Sequence, residues 1–191
     1  LPISLISICC FAIFGLKAQT KSTVSKPQVL VVYQSESGHT QTMAEAVARG
    51  VNAVTGVSVL LRTTSTVTKA ELVASQAVIL GSPVINANPS PEVLSFIRSW
   101  PFADGSMKNK IGAAFVTGGG ISAGEELVQV SLLHSMLVCG MVVIGGDDWM
   151  ASFGASAVTG EKPFDQSNHL NASFIQKAEG LGRRVAEAAL R

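Results

Sequence analysis

The sequence predicts a single α/β domain, doubly wound: a five-stranded parallel sheet in the order 2-1-3-4-5 with helices on both faces. Three observations lead there. From residue 28 onward, short β-branched runs alternate with amphipathic helical stretches, the pattern of a parallel sheet covered on both sides. A chain of 191 residues can bury one substantial core and leaves no room for a second full domain. Right-handed crossovers then make 2-1-3-4-5 the natural assembly of these units.

The expected strands are 28–33, 57–61, 76–81, 111–116 and 141–145. The first helix follows Thr40, where Met43, Ala44, Val47, Ala48 and Val51 form one apolar stripe. A short second helix begins near Thr68, with Glu71 as its capping-box partner. Ser90-Pro91 opens the third, an N-cap followed by proline at the first helical position, and Val93 with Ile97 forms its buried face. The fourth is expected from Ser122, with Glu125 completing a second capping box and Val130, Leu133 and Leu137 buried. The fifth carries Phe174, Ala178, Leu181 and Val185 on its inner side.

Ahead of the domain, Leu1 to Leu16 carry no charged side chain, and Lys17-Ala18 closes the run. That stretch is too short to span a bilayer comfortably and has the length of a secretory h-region with a small residue at the cleavage point. Residues 1–20 are therefore expected to be a signal-peptide-like leader, residues 21–27 a polar lead-in, and residues 28–191 the domain. On this reading the protein is exported; uncleaved, it would be anchored to a membrane by residues 1–16. Fourteen basic against thirteen acidic residues, a net charge of +1, give no electrostatic reason for nucleic acid to bind. The three histidines and three cysteines never cluster at metal-ligand spacing, so no metal is expected. Beyond the leader, nothing in the chain calls for a membrane.

Ligands of doubly wound sheets sit at the carboxyl ends of the strands. Three of those ends are unusual here. Strand one runs into Gln34-Ser35-Glu36-Ser37-Gly38-His39-Thr40 and then a helix, which supplies free N–H groups, hydroxyls and the positive end of a helix dipole to an anion. Neither Gly-Lys-Ser/Thr nor Gly-x-Gly-x-x-Gly is present, so a nucleotide P-loop and a dinucleotide fingerprint are both excluded. Strand three ends in Gly81-Ser82-Pro83-Val84-Ile85-Asn86-Ala87-Asn88, and strand four in Thr117-Gly118-Gly119-Gly120, whose backbone amides are unshielded. Each stretch alone reads equally well as ordinary turn and capping chemistry. Together they describe a phosphate pocket beside a flat slot, the shape of a mononucleotide cofactor.

These residues resemble the flavodoxin-like FMN proteins, in particular the WrbA-like NAD(P)H-dependent quinone reductases, over about residues 28–190. Ser35-x-Ser37-Gly38-x-Thr40 is similar to the flavodoxin phosphate loop, and Gly81-Ser82-Pro83 to the loop that borders the isoalloxazine. Thr117-Gly118-Gly119-Gly120 with Gly124-Glu125-Glu126, Cys139-Gly140-Met141-Val142-Val143 and Phe153-Gly154-Ala155 resemble three further WrbA-like segments. The resemblance implies that Ser35, Ser37, Gly38, His39 and Thr40 hold the FMN phosphate. It also implies that Pro83, Val84, Ile85, Asn86 and Ala87 flank the ring together with Thr117, Gly118, Gly119 and Gly120. Cys139 stands where the family commonly has a histidine near the quinone, which makes it the candidate catalytic side chain. Two departures stand out: Val84 to Ala87 contain no aromatic residue, and Cys139 is a weaker proton donor to substrate than histidine.

The function this implies is an FMN-dependent NAD(P)H oxidoreductase passing two electrons to a quinone or similar acceptor, with NADH or NADPH as reductant and a homodimer or homotetramer as the assembly. Two alternatives remain open. A one-electron flavodoxin-type carrier would dock through acidic surfaces and stack aromatics on the ring, and this nearly neutral chain has one tyrosine, Tyr33. A flavodoxin-fold binding module without cofactor would explain the missing aromatics.

Overall fold

The computed structural model describes residues 26–165 and 169–191. The expected leader, residues 1–20, and residues 21–25 of the lead-in lie outside them. Within the described residues the chain folds as β1 (Gln28–Tyr33), α1 (His39–Asn52), β2 (Ser58–Thr63), α2 (Lys69–Ala74), β3 (Ala77–Ile85), β4 (Asn88–Pro89), α3 (Pro91–Arg98), β5 (Ile111–Gly118), α4 (Glu125–Val138), β6 (Val142–Val143), β7 (Ala155–Val158) and α5 (Ala172–Ala189). The sheet order is β2-β1-β3-β5-β6, with β4 added on β3 and β7 on β5.

The central strands are β-branched and apolar because both of their faces are covered. Val29, Leu30, Val31 and Val32 of β1 have no solvent exposure, as expected for a strand inside a doubly wound sheet. On one face α1 and α5 bury Met43, Val47, Phe174, Leu181 and Val185 against Val31, Ile79 and Phe115. On the other, α2, α3 and α4 bury Leu72, Val93, Phe96, Leu132 and Met136 against Leu30, Leu80 and Val116. α1 and α5 approach closely at Gly50 and Gly182, where an added Cβ would run into the backbone of Glu179 and Val47 respectively. Gly81 owes its identity to packing as well: the Phe115 ring of the next strand fills the space a side chain would take.

Three expectations are corrected. The sheet has seven strands instead of five, and one pair is antiparallel: β3 runs on to Ile85 and folds back as β4, with Val84 opposite Pro89 and Ile85 opposite Asn88. The fifth strand, expected at 141–145, is split. β6 pairs with Ile111 and Gly112, β7 pairs with Phe115 to Gly118, and residues 144–154 form an excursion between them at mid-sheet. Finally, α4 starts at Glu125 behind Gly124, not at Ser122, and buries Val128, Gln129, Leu132, Leu133 and Met136. Val130 is half-buried, and Leu137 is 51% exposed. Apolar residues surround α4 on every side, so periodicity alone cannot choose which side faces the sheet.

Candidate functional site

β1, β3 and β5 are neighbours, so their carboxyl ends meet at one edge: Tyr33 lies opposite Gly81, and Pro83 opposite Thr117. The first segment leaves the sheet after Gln34, whose N–H still bonds the Gly81 carbonyl at 3.3 Å. Ser35 Oγ accepts the Gly38 N–H at 3.1 Å and closes a tight hydroxyl turn. Gly38 takes φ of 87°, the left-handed conformation that glycine adopts without strain, and an added Cβ would meet nothing within 4 Å. Conformation, not crowding, is what selects glycine there.

α1 begins directly behind with no side-chain cap and no acidic residue in its first turn. The N–H groups of Glu36, Ser37, His39, Thr40 and Gln41 have no acceptor among the described residues. Orphan amides at the positive end of a helix, next to the Ser35 and Ser37 hydroxyls, make an anion cradle. His39 is half-buried in that first turn, and Glu36 is exposed. Thr40 is 2% exposed, with Oγ1 2.7 Å from Thr117 Oγ1, so the cradle is bolted to the end of β5. Gln34 Oε1, at the exit from β1, is buried without a hydrogen-bond partner, an acceptor awaiting a donor.

The second segment is a hairpin and not an open loop. Asn86 and Ala87 both have positive φ, 49° and 61°, as a two-residue type I′ turn requires. Buried Ser82 ties the two arms: its Oγ donates to the Pro83 carbonyl at 2.7 Å and accepts the Ser90 N–H at 2.9 Å. The hairpin leans on the third segment. Val84 Cγ2 lies 3.7 Å from where a Cβ on Gly118 would stand, and Ala87 Cα lies 2.8 Å from that point on Gly124. Gly119 has open space beside it. Ile85, 40% exposed, points away from the core on the opposite side of the hairpin from Val84.

The structure thus brings together Ser35 to Thr40, Pro83 to Ala87 and Thr117 to Gly120, and it does not bring Cys139. That residue caps the far end of α4, next to Val142, which pairs with the first residue of β5. Fourteen residues of helix, about 21 Å, separate it from the loops of its own chain. Burial pushes its thiol pKa up, the opposite of an activated thiolate. His134 is exposed on α4, and Trp149, 83% exposed, sits on the mid-sheet excursion, whose base Arg183 of α5 pins through Asp147 at 3.0 Å. No cluster of three or more potential metal ligands occurs among the described residues. One residue that spacing could not reveal is Glu161: its Oε2 accepts the Ile121 N–H at 2.6 Å, from forty positions away.

The family model described as NADPH-dependent FMN reductase matches residues 63–156. A flavodoxin of Clostridium saccharobutylicum is 27% identical over 158 residues, covering 83% of this chain and 91% of the relative. An NAD(P)H dehydrogenase (quinone) of Gluconacetobacter diazotrophicus is 29% identical over 195 residues, covering 85% and 96%. Among solved structures, a flavodoxin, WrbA-like protein from Agrobacterium tumefaciens superposes with a TM-score of 0.68 at 21% identity, covering 86% of this chain and 98% of that one.

Proposed function

We propose, for a chain that belongs to the flavodoxin-like FMN protein family, that it is an FMN-dependent NAD(P)H oxidoreductase delivering two electrons to a quinone or similar acceptor. The observation that carries the reading is the set of uncommitted N–H groups of Glu36, Ser37, His39, Thr40 and Gln41 around the start of α1. Such groups, gathered at the positive end of a helix, are favourable partners for a dianion. Ser35, Ser37, Gly38, His39 and Thr40 would hold the phosphate at the positive end of the helix. The hairpin residues Pro83 to Ala87 and the loop Thr117 to Gly120 would stand on either side of the ring.

Bound FMN would supply the redox chemistry, accepting hydride from NADH or NADPH and returning two electrons to the acceptor. The protein's part is to orient and to shield. The hairpin, tied by Ser82 and seated on Gly124, excludes water from one side. The amides of Gly119 and Gly120 can face negative charge that develops on the ring side. No side chain of the three loops is placed as a general acid, and the proposed reaction needs none. The family description and the quinone dehydrogenase relative support this choice of reductant and acceptor. The flavodoxin relative supports a second reading, a one-electron carrier.

One experiment separates them. Purified protein is mixed with FMN, desalted and examined by visible absorbance, then given NADH or NADPH without oxygen. Retained yellow flavin that bleaches to the two-electron form is the expected result. Flavin that ignores the nicotinamide points to the carrier, and colourless protein ends the FMN reading.

A further inference from the structure

Three consecutive amides of the loop after β5 are captured by carboxylates. The Ile121 N–H donates to Glu161 Oε2 at 2.6 Å, and the N–H groups of Ser122 and Ala123 donate to Glu125 Oε1 and Oε2 at 2.9 and 3.0 Å. Glu125 belongs to the same turn and secures the helix start locally. Glu161 reaches in from beyond β7. The chain leading to it runs alongside the loop: Thr159 N–H bonds the Gly118 carbonyl at 2.9 Å, Thr159 Oγ1 donates to the same oxygen at 3.1 Å, and Gly160 N–H bonds the Gly119 carbonyl at 2.9 Å. Among the described residues neither carboxylate forms an ion pair with a lysine or arginine, so the loop amides are their partners.

Gly120 makes room for the contact, since a Cβ there would stand 2.9 Å from Glu161 Oε2. A run of three glycines has more conformational freedom to lose than any other tripeptide, and a charge-assisted N–H···O⁻ bond is about twice as strong as a neutral one. We infer that Glu161 is a positioning residue, a latch that holds Gly118 to Ala123 as the ring-side wall of the flavin slot. The inference rests on the FMN reading above and adds to it a residue that touches neither the phosphate cradle nor the hairpin.

The test compares FMN with riboflavin, which has the ring and lacks the phosphate, by fluorescence-quenching titration. Glu161→Ala is expected to weaken both flavins by the same factor, on the order of tenfold, the consequence of losing one charge-assisted bond that orders the wall. Glu161→Gln keeps an acceptor oxygen without the charge and recovers part of the binding of both. Gly120→Ala displaces the carboxylate and reproduces the loss, and the double variant Gly120→Ala/Glu161→Ala is no worse than either single. Glu161 is exposed, so its replacement leaves the core intact. Unchanged riboflavin binding in Glu161→Ala overturns the latch, as do a loss confined to FMN, failure of Gln to rescue, or additive losses in the double variant. Failure of the unmodified protein to bind either flavin overturns the FMN reading itself, and the latch's role with it.

Discussion

Single residues bind the three loops into one site, and their contributions separate by chemistry. Ser37 is exposed and bonds nothing among the described residues, so its hydroxyl is free for a ligand. Ser37→Leu is expected to leave the far-ultraviolet circular dichroism unchanged while weakening FMN by about tenfold or more, a loss of roughly 1.4 kcal/mol; equal affinity in a quenching titration would remove the phosphate assignment. The Thr40–Thr117 hydroxyl pair is buried and structural. Thr40→Val strands the Thr117 hydroxyl and should cost about 1–3 kcal/mol in denaturant unfolding, whereas Thr40→Val/Thr117→Val should cost less than the two singles summed. Ser35 to Thr40 were legible in the sequence because one strand end, one glycine and one helix start define the cradle within six positions. Glu161 was illegible because its partner, Ile121, is forty residues away and nothing near either residue signals the bond.

Elements form where local chemistry and tertiary packing agree. α2 is read from sequence without error: Thr68 Oγ1 accepts the Glu71 N–H at 3.2 Å, and Glu71 Oε2 accepts the Thr68 N–H at 2.8 Å. That backbone bond and the Arg62 guanidinium hold the Glu71 carboxyl below its ordinary value of 4.5. A depressed carboxyl stabilises the fold above that ordinary value and loses the contribution as the pH falls through its folded value. Glu71→Gln should therefore lower stability at neutral pH, with the gap from wild type closing as the unfolding titration is carried into acid; a gap constant with pH would place the effect elsewhere. The α1–α5 contact depends on missing side chains. Gly182→Ala drives a methyl into the Val47 carbonyl and should destabilise the protein by about 1–3 kcal/mol in chemical denaturation. α4 shows where pattern reading stops. Leu127, Leu137 and Val138 are 61%, 51% and 70% exposed, and the side facing inward was chosen by β5 and the hairpin, not by the helix itself.

For the whole molecule, the site is the edge where three adjacent strands end, and a ligand held there binds the folded state alone. FMN at a hundred times its dissociation constant should add about 2.7 kcal/mol and raise the melting temperature by roughly 5–10 °C for a chain of this size, with riboflavin giving less. No shift at saturating FMN would count against the site. By itself the sequence determined the alternation of strands and helices, the order of the parallel core, the three unusual strand ends and the cradle at Ser35 to Thr40. All of these are written in periodicity or in spacings of a few residues, where the free energy is local. Only the tertiary structure decided that the fifth strand is split, that Pro83 to Ala87 form a hairpin seated on Gly124, that Cys139 lies at the far end of α4, and that Glu161 closes the loop after β5. Apart from Cys139, whose place follows from the length of α4, those outcomes depend on partners about thirty to forty residues apart or on space left by a glycine in a neighbouring element, and such contacts acquire their energy only once the sheet has brought them together.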